Sequence, residues 1–152
     1  MEALEDFIIE AKAVTYMGGK HPLTAPTRPA AKDIAYDKGR FRYLDSHFGG
    51  TDFLGQEVVW QDDVPVWAMN YYGRIIDPAR FDGERAGIVI KQALTALYQE
   101  RRFLGDFTYQ HTLGEYIDQS MGDYRSFLGV ERILVEDRLV YQLDYQGGLI
   151  KP

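Results

Sequence analysis

The sequence predicts an α+β fold in which one antiparallel sheet of about six strands carries two helices on one face. Three observations carry that expectation. A 24-residue pattern is written twice, an amphipathic stretch precedes each copy, and each copy is split by a short turn signal between β-branched and aromatic runs.

The elements follow in chain order. Leu4, Phe7, Ile8, Ala11 and Val14 recur at helical spacing and predict the first helix. "GGKHPLTAPTRPAAKD", residues 18–33, holds three prolines and two glycines and predicts a loop, a candidate flap over whatever the sheet holds. "GRFRY", residues 39–43, starts the strands. "FLGQEVVWQDDVPVWAMNYYGRII", residues 53–76, follows as a hairpin turning at Asp62-Asp63. After "DPARFDGERAG", the positions Ile90, Ala93, Leu94 and Leu97 predict the second helix. "GDFTY", residues 105–109, then answers "GRFRY", with about eight extra residues before Phe127. The closing "FLGVERILVEDRLVYQLDYQGGLI", residues 127–150, turns at Glu136-Asp137.

Aligning residue 53 with residue 127 gives nine identities over 24 ungapped positions, among them Gly55/Gly129, Glu57/Glu131 and Tyr71/Tyr145. Agreement in this order predicts one domain, 1–152, built of two helix–β–β–β repeats at about 1–76 and 84–150.

Period two then assigns the faces. With a plain two-residue turn, Leu54, Gln56, Val58, Trp60, Pro65, Trp67, Met69 and Tyr71 share a face, the more apolar one, which is assigned to the helices with both tryptophans in the core. The opposite face carries Glu57, Val59, Val66, Ala68, Asn70 and Tyr72, with Glu131 in the second copy.

Composition narrows the function classes. The absence of Cys removes disulfide and thiolate chemistry. No apolar run reaches the length of a membrane helix, and the acidic start "MEALEDFIIEAKAV" differs from a signal peptide, so a cytoplasmic location is expected. A net charge of −6 argues against direct nucleic-acid binding by this chain. The 11 Tyr, 8 Phe and 2 Trp are the outlying feature of the composition; such residues fill a core, and Tyr and Trp also line ligand pockets.

Within that frame Glu57 and Glu131 are the candidate anchors, since an apolar wall makes a carboxylate a strong partner for a cation. Asn70 and Tyr72 would orient the ligand, Tyr43 would form an aromatic wall, and Asp45 shares a face with His47. Asp45, Ser46 and His47 adjoin, but successive strand residues point to opposite faces and cannot converge as a triad. No metal-ligand, phosphate-loop or serine-nucleophile motif occurs, so neither a metal nor a cofactor is expected. The expectation is a non-catalytic domain binding a small hydrophobic or cationic molecule. The alternatives are a homodimeric association module and a hydrolase using Glu57 or Asp45 as general base.

The stretches "FIIEAKAVTYMGG", "FRYLDSHFGGTDFLGQEVVW", "PVWAMNYYGR" and "YQGGLI" resemble an uncharacterised bacterial domain family, found alone or downstream of XRE-type helix-turn-helix regulators. The resemblance implies a link to transcriptional regulation. Because this chain starts at the first helix, it also implies that operator binding lies elsewhere. At the level of architecture the pattern is similar to the AraC effector-binding, gyrase-inhibitor-like fold, whose members hold hydrophobic, often cationic molecules over a buried Glu. That likeness implies Glu57 or Glu131 as the matching position.

Overall fold

The computed structural model of the chain describes residues 2–16 and 21–152. Two helices, α1 (Glu2–Tyr16) and α2 (Gly83–Gln99), lie over one face of a single antiparallel sheet. Strands β1 (Lys32–Lys38), β2 (Phe41–Gly49), β3 (Phe53–Gln61) and β4 (Val64–Ile75) follow α1. Strands β5 (Phe107–His111), β6 (Gly114–Asp123), β7 (Ser126–Val135) and β8 (Arg138–Leu149) follow α2. The spatial order is β1-β2-β3-β4-β8-β7-β6-β5, so the last strand of each half pairs with the other at the centre, Tyr71 opposite Tyr145. No helix among the described residues is long and apolar enough to cross a membrane.

The sheet therefore has eight strands rather than about six, and the helix–β–β–β unit does not fit. Each helix is followed by four strands. The two unforeseen strands are β1, whose charged "KDIAYDK" merges with the proline-rich stretch before it, and β6, whose "GEYIDQSMGD" has too few aliphatics to announce a strand. Only the Phe107–Tyr109 part of "GDFTY" lies in the edge strand β5, and Tyr109 lies opposite Tyr116 rather than standing in for Tyr43.

The proline-rich stretch is not a flap over the helix-covered face. Residues 18–20 lie outside the described residues, and the remainder is tied down at the β1 edge. Thr27 donates its backbone N–H and its hydroxyl to Asp33 Oδ2, at 2.9 and 2.7 Å. Arg28 donates to Ser46 at 2.7 Å and sits over the Phe48 ring.

The face assignment also needs correction, and the cause is local. Both turns are two-residue turns with positive φ at each central residue, 51° and 66° at Asp62-Asp63 and 50° and 63° at Glu136-Asp137. That is the primed geometry that follows strand twist. One step beyond each turn the register slips. Trp60 pairs with Pro65 but Val59 pairs with Trp67, and Leu134 pairs with Leu139 but Ile133 with Tyr141. Val66 and Val140 are the extra residues of two β-bulges. Past the bulge, every side chain of β3 and β7 points to the face opposite the one a plain turn dictates. Gly55, Glu57 and Val59 therefore face the helices with Trp67, Met69 and Tyr71, while Leu54 and Gln56 are exposed. Trp67 is a core residue, wholly buried and donating Nε1–H to the Tyr124 carbonyl at 2.9 Å. Trp60 is half-buried on the outer face.

Candidate functional site

The side of the sheet beneath the helices carries four carboxylates in two cross-strand pairs: Asp45 opposite Glu57 on β2 and β3, and Asp118 opposite Glu131 on β6 and β7. Each is held by a tyrosine hydroxyl. Tyr43 donates to Glu57 Oε1 at 2.5 Å and Tyr71 donates to Asp45. Tyr116 donates to Glu131, and Tyr145 donates to Asp118 at 2.7 Å. The same four residue types, Tyr-Asp-Glu-Tyr, thus stand in the same relation on both sides of the central β4–β8 pair.

Two glycines make the tyrosine contacts possible. Gly55 lies opposite Tyr71 and Gly129 opposite Tyr145. The tyrosine rings lie over them on the way to Asp45 and Asp118. A Cβ at Gly55 would stand 2.4 Å from the Tyr71 hydroxyl, and one at Gly129 would stand 2.2 Å from the Tyr145 ring. No residue with a side chain fits there unless the ring moves.

The carboxylates line a cavity of about 410 Å³ between sheet and helices. Its remaining wall is largely apolar and aromatic, including Tyr98, Phe103, Tyr141 and Leu143, and its rim includes the exposed Gly50, Thr51 and Gly87. Two lysines, Lys12 and Lys91, line the cavity, and among the described residues Lys12 is the one paired with an acid there. Lys12 of α1, only 5 % exposed, reaches Glu57 Oε1 at 2.9 Å and Oε2 at 3.1 Å. The same ammonium contacts Met69 Sδ at 3.3 Å and lies 5.2 Å from the Phe103 ring centre.

One ion pair cannot balance four carboxylates out of water, and the surplus appears as proton affinity. Burial pushes Glu131 up to about 8, with the charge of Asp118 adding and the Tyr116 hydrogen bond and Lys12 opposing. Burial also pushes Asp45 up to about 7, reinforced by Glu57 and opposed by Tyr71 and Lys12. Asp118 rises to about 6, again chiefly through burial and against the hydrogen bond from Tyr145.

Four of the six residues singled out in the sequence meet here: Glu57, Glu131, Tyr43 and Asp45. Asn70 and Tyr72 do not. Both point to the outer face, where Asn70 accepts from Gln56 at 2.8 Å and Tyr72 lies under the Arg74 guanidinium. The bulge at Val66 is the reason, because it puts Glu57 and Asn70 on opposite faces. Asp45 and His47 share the helix-facing side as period two requires, and both line the cavity. Lys12, Tyr71, Tyr116, Asp118 and Tyr145 were missed as site residues. Two signals mark them. Lys12 continues the stripe Leu4, Phe7, Ile8, Ala11 by helical spacing, and "YLD" at 43–45 recurs as "YID" at 116–118.

A family model described as "Domain of unknown function (DUF5680)" matches residues 45–150, which is more than half of the chain. The chain belongs to that family. No curated protein and no solved structure matches it.

Proposed function

We propose that this DUF5680 domain is a non-catalytic binding domain for a small organic cation with an apolar body, held in the cavity between sheet and helices. The observation that carries the reading is the imbalance inside the cavity, where four tyrosine-backed carboxylates share one ion pair, Lys12 with Glu57, within aromatic walls, while Lys91 lines the cavity without pairing to them. A ligand cation would replace protons as the counter-charge, and the rings would add cation–π attraction. The sequence resemblance to domains that accompany bacterial transcriptional regulators supports a sensing role in the cytoplasm, with nucleic-acid contact left to another chain or domain. The net charge of −6 is consistent with that division.

The test is thermal shift and intrinsic fluorescence against pairs of compounds that differ only in charge, such as 2-phenylethylamine and 2-phenylethanol. The amine should raise the melting temperature saturably and the alcohol should not. Equal responses, or none from any amine in such a panel, would overturn the reading.

A second reading, association into a homodimer, is favoured by one observation. The outer sheet face exposes Leu54, Leu128 and Met121 at 55, 55 and 70 %. Sedimentation at high protein concentration decides it, since a strict monomer excludes it.

A further inference from the structure

Lys12 and Glu57 form an ammonium–carboxylate seat already filled from within the chain. The ammonium lies on the carboxylate, the Tyr43 hydroxyl supports the carboxylate from behind, and the Phe103 ring closes one side. The second half builds the same carboxylate with the same tyrosine support, Glu131 with Tyr116, beside the same Asp–Tyr pair, Asp118 with Tyr145. What differs is the helix above it. The buried stripe of α1 runs Leu4, Phe7, Ile8, Ala11, Lys12 and Thr15. That of α2 runs Ala86, Val89, Ile90, Ala93, Leu94 and Leu97. Leu94 holds the place that Lys12 holds in α1, and it lines the cavity. Among the described residues no Lys, Arg or His forms an ion pair with Glu131 or Asp118.

A second observation points to a polar ligand group in this cavity. Tyr141, wholly buried and part of the same cavity wall, leaves its hydroxyl without a hydrogen-bond partner. A buried hydroxyl in that condition has lost its water without replacement, and a bound polar group relieves the loss.

Resting on the cation-binding reading above, we infer that the ligand's charged head is a primary ammonium and that it sits on Glu131 and Asp118, in the place a lysine at position 94 would fill. Lys12 on Glu57 is then the chain's own replica of the bound head group. The apolar body of the ligand extends along Leu94, Tyr98 and Leu143, with the Tyr141 hydroxyl free to meet a polar substituent.

The inference is tested by titrating 2-phenylethylamine into the full chain and four variants at pH 8. Leu94→Lys supplies the missing internal ammonium and should weaken amine binding at least tenfold while the protein melts at or above the wild-type temperature. Should that variant fail to fold, Glu131→Gln provides the second arm and should weaken binding to the same degree. Glu57→Gln should weaken binding less than either of these variants, because Lys12 already occupies that carboxylate. Lys12→Met should vacate the first seat and raise the stoichiometry from one amine towards two. Binding that survives both Leu94→Lys and Glu131→Gln but is lost in Glu57→Gln would overturn the location and leave the cation-binding reading standing. Absence of amine binding by the wild-type chain would overturn both.

Discussion

At the scale of single residues, Gly55 and Gly129 decide whether the two Asp–Tyr contacts exist. The ring of Tyr71 passes over Gly55 to reach Asp45, and the ring of Tyr145 passes over Gly129 to reach Asp118. A methyl group at either position meets atoms at 2.4 and 2.2 Å, far inside van der Waals contact. Gly55→Ala and Gly129→Ala are therefore each expected to cost about 1–3 kcal/mol through overpacking and displacement of a tyrosine from its carboxylate. Thermal melts check this, with Gly87→Ala as the control. A Cβ at Gly87 has nothing within 4 Å and lies on the exposed side of α2, so that variant should gain up to about 1 kcal/mol. If Gly55→Ala melted as the control does, the close approach of Tyr71 would be wrong.

Among the elements, the two hairpin turns set which face each side chain of β3 and β7 takes. Asp62 and Asp63 both adopt positive φ, where a residue without Cβ is favoured. Asp63 makes only a 3.5 Å exposed contact with Arg42, and such a pair contributes little. Asp63→Gly should accordingly stabilise the chain by about 0.5–1 kcal/mol, seen as a rise of roughly 1–4 °C in the melting midpoint. A fall would mean that the turn is not held in its primed form.

The same hairpins show what a sequence of this kind discloses. Their turns stand out as polar pairs between β-branched runs, and the helices stand out by their spacing, so those elements were legible. The bulges at Val66 and Val140 were not, because an inserted valine in a run of β-branched residues leaves no mark on composition. That single slip moved Glu57 from the open face to the cavity and left Asn70 and Tyr72 behind. Strand β6 escaped notice for a related reason. Its alternation is carried by Tyr116, Asp118 and Ser120, which read as surface until the tyrosine–carboxylate contacts are known. Lys12 was hidden by a general preference, since a lysine in an apolar stripe is ordinarily taken as its edge.

For the whole molecule, the consequence of the buried acids is a stability that depends on pH with a definite sign. Asp45, Asp118 and Glu131 have their folded pKa values raised to about 7, 6 and 8, all above the ordinary carboxylate range that applies to the unfolded chain. Between about pH 4 and 8 the folded state therefore holds more protons than the unfolded state, and stability falls as pH rises through that window. The melting temperature should be highest near pH 5 and lower by several degrees at pH 8. Glu131→Gln should flatten the upper part of that slope, because the amide carries no charge to desolvate. Lys12 works against the trend by lowering the proton affinity of all three groups, so Lys12→Met should steepen it. A melting temperature that rose steadily from pH 5 to pH 8 would contradict the burial of these acids.

The same proton inventory offers the most direct test of a cation seat. At pH 7 Glu131, raised to about 8, is largely protonated, and an incoming ammonium must displace that proton to gain a counter-charge. Titration calorimetry of 2-phenylethylamine at pH 7, in buffers of differing ionisation enthalpy, counts the protons released on binding. Release of close to one proton per amine, lost in Glu131→Gln, is the expected result. Binding with no proton release in the wild-type protein would show that the ligand's charge is not received by the buried acids.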